Sequence, residues 1–219
     1  MTPVLRLAPK SLANRRITVS LAIFTIAVSV MLLLSVERIR TEARASFSNT
    51  ISGTDLVVGA RSGSVPLLLY SVFRIGNATN NISWNSYRTI ASDPGIAWTI
   101  PLSLGDSHRG FRVLGTNADY FKHFRYARSR NLKFAAGKPF DDLFDTVLGA
   151  EVAKTLGYLV GDRIVIDHGV GSIGFASHKD KPFRVSGILT HTGTPVDRTV
   201  HVSLAGIEAI HIDWRGGAP

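Results

Sequence analysis

From Ile17 to Val36 the chain runs twenty residues, ITVSLAIFTIAVSVMLLLSV, without a single charge. A helix rising about 1.5 Å per residue needs roughly 20 mainly apolar residues to cross a hydrocarbon core about 30 Å thick, so this run has the length of one membrane crossing. A buried helix of a soluble protein keeps a polar stripe or stops sooner. A cleaved signal peptide is the competing reading, and Ala43-Arg44-Ala45 has the small-x-small form of a cleavage site. That tripeptide lies beyond Glu37, Arg38, Arg40 and Glu42, however, and the run exceeds the roughly 7–15 apolar residues of a signal-peptide core. The stretch reads as an uncleaved anchor.

Orientation follows from the flanks. Arg6, Lys10, Arg15 and Arg16 precede the run, whereas Arg38, Arg40 and Arg44 follow it among two glutamates. Acids count for little in the positive-inside rule, so a cytoplasmic N-terminus is expected, with the residues after about position 45 outside. Val4, Leu5, Ala8 and Leu12 lie at helical spacing, which predicts an amphipathic segment at the cytoplasmic surface, weakened by Pro9. Beyond Val36 the apolar edge of Ile39, Ala43 and Phe47 predicts that the membrane helix continues as a stalk. Inside the span Thr18, Ala22, Thr25 and Ser29 share one face, a pattern that favours close helix-helix packing. The alternative is that these hydroxyls bond back to their own helix.

The formal charge of the 219 residues is +9, but 1–48 hold seven Lys/Arg against two Asp/Glu, which leaves 18 basic and 14 acidic residues for the rest. That is an ordinary surface and not a nucleic-acid footprint. With no cysteine, disulfides, thiolate nucleophiles and Cys-based zinc sites are excluded.

After Gly53 short apolar runs alternate with turns. TDLVVGA is expected to be a strand. WNSYRTIASD is expected to be a helix capped by Ser83 and ended at Pro94-Gly95. IAWTIPLSLGD and GFRVLGT predict strands joined around Gly105-Asp106, and NADYFKHFR a short helix. DTVLGAEVAKTLGY predicts a strand and then a helix ended by Gly157. DRIVIDH and FRVSGIL predict paired strands, RTVHVSL a last strand and LAGIEAIH a helix. The fold class is α+β: one N-terminal transmembrane helix, then a mixed α/β extracytoplasmic domain.

Motifs for chemistry are sparse. Gly169, Gly171 and Gly174 form G-x-G-x-x-G, but no helix is predicted to begin there to receive a pyrophosphate, and a hairpin tip is the better reading. No P-loop sequence occurs. The histidines His108, His123, His168, His178, His191, His201 and His211 all follow the span. His178, His201 and His211 stand near Asp180, Asp197 and Asp213, without the local spacing of a metal site. They read as solvated loop or strand-edge groups; zinc held through His178 or His201 is the minor alternative. Asp141, Asp142 and Asp145 read as a solvated loop or helix start, not a paired acid-base site. No catalytic residue, cofactor-binding residue or metal ligand is assigned.

The order of the glycine motifs is distinctive. G-T-D-L-V-V-G-A is followed by A-G-K-P-F (136–140), V-L-G-A-E-V-A (147–153), L-G-Y-L-V-G-D-R-I (156–164), F-R-V-S-G-I-L (183–189) and T-G-T-P-V-D-R (192–198). This succession resembles the permease subunits of the MacB/FtsX/LolCE-like ABC transporter superfamily. The resemblance implies a periplasmic core domain between the first and second of four inner-membrane helices. It also implies a second permease subunit, identical or homologous, and a separate cytoplasmic ATPase whose work reaches the external domain through the stalk. A periplasmic adaptor is an optional further partner. Relatives handle lipoproteins, peptides, lipids or drugs, and no enzyme activity is expected of the chain itself.

The organisation expected is then 1–16 cytoplasmic segment, 17–36 transmembrane helix, 37–48 stalk and 49–219 periplasmic core domain. No later run, including Val65–Val72, is long enough to span, so the chain reads as the N-terminal portion of such a permease with three helices expected elsewhere. The alternative from another class is a single-span sensor or scaffold whose external domain binds a ligand or an envelope protein.

Overall fold

A computed structural model describes residues 15–77, 80–169 and 180–212. The predicted segment over 3–14, together with Gly171, Gly174, His178 and Asp213, lies outside them. The chain divides into two units, Met1–Phe47 and Ser48–Pro219.

The first unit consists, among the described residues, of helix α1 (Arg16–Thr50), whose last residues belong to the second unit. Over Arg16–Glu42 it is long and apolar enough to cross a membrane. Its large side chains have no protein cover, with Ile17 at 73% and Leu33 at 70% exposed. The Thr25 and Ser29 hydroxyls donate to the carbonyls of Leu21 and Thr25, both at 2.9 Å, so these two follow the back-bonding alternative. Past Val36, Arg38 pairs with Glu42 at 2.8 Å and Arg40 with Glu37 at 3.5 Å. Exposed pairs at these helical spacings each contribute a few tenths of a kcal/mol (about 0.2–0.5).

In the second unit two short helices, α2 (Ser64–Ser71) and α3 (Trp84–Ala91), precede the sheet. The predicted Ser83 cap of α3 is present, its side chain accepting from the Ser86 amide at 3.1 Å. Strands β1 (Ser103–His108) and β2 (Phe111–Thr116) form a hairpin. Helix α4 (Asp119–His123) leads to a separate two-stranded ribbon, β3 (Arg125–Tyr126) with β4 (Arg130–Asn131). Then come β5 (Phe134–Gly137), β6 (Asp145–Leu148), α5 (Ala150–Leu156), β7 (Arg163–Ile164), β8 (Asp167–His168), β9 (Phe183–Leu189), a 3₁₀ turn (Pro195–Arg198), β10 (Thr199–Ser203) and α6 (Leu204–His211).

The main sheet has the order β5-β9-β6-β10-β2-β1-β8, with β7 also on β9. Pairs β9/β6 and β10/β2 are parallel and the others antiparallel, so the sheet is mixed, as the α+β reading requires. Strands β7 and β8, separated only by Val165 and Ile166, pair with β9 and with β1, which lie toward opposite ends of the sheet. The sheet therefore curls until that one segment reaches both.

Both faces are covered. Val113, Leu148, Val152, Ile166, Phe183, Val200 and Val202 form one core, while Leu114, Tyr120, Phe121, Val147, Leu189 and Val196 form the other. Neighbours such as Val113 and Leu114, or Val147 and Leu148, point to opposite cores because side chains alternate along a strand. A fully buried side chain of this size stabilises by about 1.5–3 kcal/mol.

Apart from the histidines, four expectations change. TDLVVGA is not a strand: residues 54–59 have no ladder partner, and β-branched residues alone do not make one. The β1–β2 turn is at Arg109-Gly110 (φ 47° and 85°), whereas Gly105-Asp106 lie within β1 at a register irregularity. DRIVIDH is split into β7 and β8, and only β7 pairs with FRVSGIL. Asp145 is not solvated; it begins the central strand β6 with its side chain 2% exposed.

Candidate functional site

The sheet domain is entered at Thr50 and Ser52. Thr50 is buried, and two residues on the Ser52 amide donates to the Arg125 carbonyl at 3.0 Å, an antiparallel bridge onto β3. The Ser52 hydroxyl accepts from the Ser129 amide at 3.0 Å. The ribbon it clasps turns through Ala127, Arg128 and Ser129, all left-handed with φ of 37°, 60° and 67°. Non-glycine residues pay roughly 1–2 kcal/mol each for that conformation, so surrounding contacts must hold it. The Ser52 clasp is one such contact. The burial of Tyr126 and Leu132 on either side of the turn is another.

Beneath the ribbon lies a polar cluster set into an apolar core. Tyr120 on α4 is fully buried, its ring 4.9 Å from that of Phe124 and 5.1 Å from the imidazole of His201 on β10. His201 faces this core because Val200 and Val202 on either side take the other. Its Nδ1–H donates to the Val147 carbonyl at 3.2 Å, which leaves Nε2 as a buried acceptor without a partner among the described residues. Burial, and then the positive charge of Arg74, depress the His201 pKa to about 3, with the Val147 carbonyl opposing. Burial also pushes the Tyr120 hydroxyl up, and Arg74 pulls it back. Arg74 stands close enough to act on both groups, yet among the described residues its Nε and the Tyr120 hydroxyl have no hydrogen-bond partner. The cluster joins the chain after α2 to α4 and to β10.

Three other histidines, His108, His191 and His211, have partners among the described residues. His108 is buried, contrary to the solvated expectation. Its Nδ1–H donates to the Val165 carbonyl at 2.6 Å, and Nε2 accepts from the Tyr158 hydroxyl at 3.0 Å. Burial, assisted by Arg109, lowers its pKa against the Val165 carbonyl and Asp167. Asp197 does not pair with His201 as their nearness in sequence allowed. Its carboxylate accepts from His191 Nδ1 at 2.9 Å, the Gly193 amide at 2.7 Å and the Thr192 amide at 2.8 Å. His211 Nε2 lies 3.7 Å from Asp106. Among the described residues no three His, Cys, Asp or Glu come together as metal ligands.

Four of the glycine motifs meet in two pairs. Gly137 of A-G-K-P-F pairs with Gly187 of F-R-V-S-G-I-L. Gly149 of V-L-G-A lies against the T-P-V-D-R turn, where a β-carbon would come within 2.2 Å of the Val196 carbonyl oxygen. Gly157 ends α5 in the left-handed conformation at φ 72°, its role in L-G-Y. Residues 19–216 match the family model described as MacB-like periplasmic core domain. The chain belongs to that family. No curated protein sequence matches it at a significant level.

Membership places this MacB-like core domain with the permeases of ABC-type transporters. Together with the spanning-length helix it makes the chain a membrane-anchored protein. In three of the motifs a glycine, Gly137, Gly149 or Gly187, marks a close backbone contact. The Ser52–β3 clasp and the Arg74–Tyr120–His201 cluster, which sequence reasoning missed, lie elsewhere. The one available signal for His201 was its position between two valines in a strand whose faces are both covered.

Proposed function

We propose that the chain is a permease subunit of an ABC transporter of the MacB/LolCE/FtsX-like type. It would sit in the inner membrane with its N-terminus cytoplasmic, pair with a second permease subunit and couple to a separate ATPase. In this reading the chain performs no hydrolysis. It passes conformational work from the membrane to the external domain, for export or extraction of a substrate.

The observation that supports this reading is the continuity of α1. One uninterrupted helix carries the apolar run and ends at Thr50, and the chain is clasped to β3 two residues later. A helix transmits axial displacement without the slack of a coil linker. A flexible tether would serve a simple anchor equally well.

Affinity capture of the native protein from membranes tests the proposal. It should recover a P-loop ATPase, and Ser52→Pro, which removes the clasping amide, should uncouple hydrolysis from substrate while leaving the complex assembled. Consistent absence of any such ATPase overturns the proposal.

A further inference from the structure

The excess positive charge of residues 49–219 is concentrated in one segment. Between Tyr120 and Phe140 the chain holds six of the eighteen Lys/Arg of that region and none of its fourteen Asp/Glu. The segment starts inside α4, after Asp119, and runs through the β3–β4 ribbon and β5 to the border of Asp141 and Asp142. Lys122, Arg128, Arg130 and Lys133 are exposed. Among the described residues the carboxylate paired with a base of this segment is Asp141, 3.1 Å from Lys138. Elsewhere in the domain the basic side chains Arg184 and Arg198 are matched to Asp145 and Glu151.

We propose that the β3–β4 ribbon and its flanks form a docking surface for an acidic segment of a partner protein. Three features select this class. The ribbon is held in one conformation by the Ser52 clasp and by its buried flanks Tyr126 and Leu132, so the backbone that carries its arginines needs no ordering on binding. Guanidinium groups match carboxylates in two-point hydrogen-bonded geometry, which suits Arg128 and Arg130 to aspartate and glutamate side chains. The exposed tip, from Arg128 to Asn131, has neither an apolar side chain to insert into lipid nor an aromatic one to stack on a base, since Tyr126 and Leu132 turn inward. The docking surface stands independently of the transport reading, because it follows from charge and shape alone.

Binding of fluorescein-labelled decaglutamate to the detergent-solubilised chain, followed by anisotropy in low salt, tests it. The paired variant Arg128→Asn and Arg130→Gln removes two charges without threatening the turn, because asparagine tolerates the left-handed conformation well. Its affinity should fall at least tenfold. The control pair Arg88→Gln and Lys154→Gln, equal in charge and exposed elsewhere, should stay within threefold. Equal loss in both pairs, or no binding by the unaltered chain, overturns the proposal. Displacement of the probe as readily by glycerol phosphate or a decathymidylate strand as by unlabelled decaglutamate also overturns it, because the surface would then be a general anion site.

Discussion

Gly137 and Gly187 stand opposite each other in the β5–β9 ladder, and neither has room for a β-carbon. One built on Gly137 would lie 2.1 Å from the Ser186 carbonyl oxygen, and one on Gly187 would lie 2.4 Å from that of Lys138. Gly137 is also left-handed, at φ 70°.

Alanine at either glycine should therefore destabilise the domain through overpacking, by about 1–3 kcal/mol, with Gly137→Ala the worse because of its backbone conformation. Gly105→Ala, which meets open space within β1, should change stability by less than about 0.5 kcal/mol. Urea unfolding of the three variants, followed by tryptophan fluorescence, checks the ranking.

His201 supplies an acid-sensitive contribution whose sign is fixed by its depressed pKa. The unfolded chain takes up a proton near its ordinary value of about 6.5, whereas the folded chain resists until about 3, so stability is full above that range and falls as pH drops through it. Between pH 7 and 4.5 the unaltered protein should lose about 2–3 kcal/mol more than His201→Leu, at up to about 1.4 kcal/mol per pH unit. Unfolding midpoints of both proteins at the two pH values measure the difference.

Asp145 acts in a lower window. Burial opposes its charge, but hydrogen bonds from Arg184 and from the amides of Asp142 and Asp141 outweigh this and hold its carboxyl below the usual range. Its contribution is present above about pH 4 and is lost as pH falls through the folded value. Asp145→Ala should destabilise by about 1–3 kcal/mol at neutral pH, by leaving those donors unsatisfied, and the gap to the unaltered protein should close in strong acid. Chemical unfolding at pH 7 and at pH 2 reads both effects.

At the clasp, Ser52→Ala removes the acceptor of the Ser129 amide while keeping the backbone bridge to Arg125. Loss of one such bond, about 1 kcal/mol, should speed hydrogen exchange at the Ser129 amide roughly fivefold. Exchange at Val113 and Val147, in the middle of the sheet, should not change. Mass-spectrometric exchange on the two proteins tests this localisation.

Elements governed by local chemistry were legible in the sequence. The charge-free run gave α1, the Ser83 cap gave the start of α3, and Gly157 marked the end of α5. Features set by long-range pairing were not. TDLVVGA has strand composition but no neighbour to pair with. The break in DRIVIDH arises only because its two halves serve different strands of the curled sheet. Asp145 and His201 carry polar labels that predict solvent, and their burial depends on Arg184 in one case and on the cover supplied by α4 in the other. The glycine succession was readable as a family pattern, while the reason for it, backbones in near contact, required the register.

The six residues from Arg163 to His168 act on the curled sheet as a buckle does on a strap. Their two halves pair with β9 and with β1, strands separated in the sheet by β6, β10 and β2. A strand pulled sideways in an open sheet can peel away one neighbour at a time. Here parting β9 from β1 must also strip the Arg163–Arg184 and Ile164–Phe183 pairings or the Asp167–Ser107 pairing, and draw the fully buried Ile164 and Ile166 into water. A load that would part β9 from β1 thus meets this short segment as well as the three strands between them.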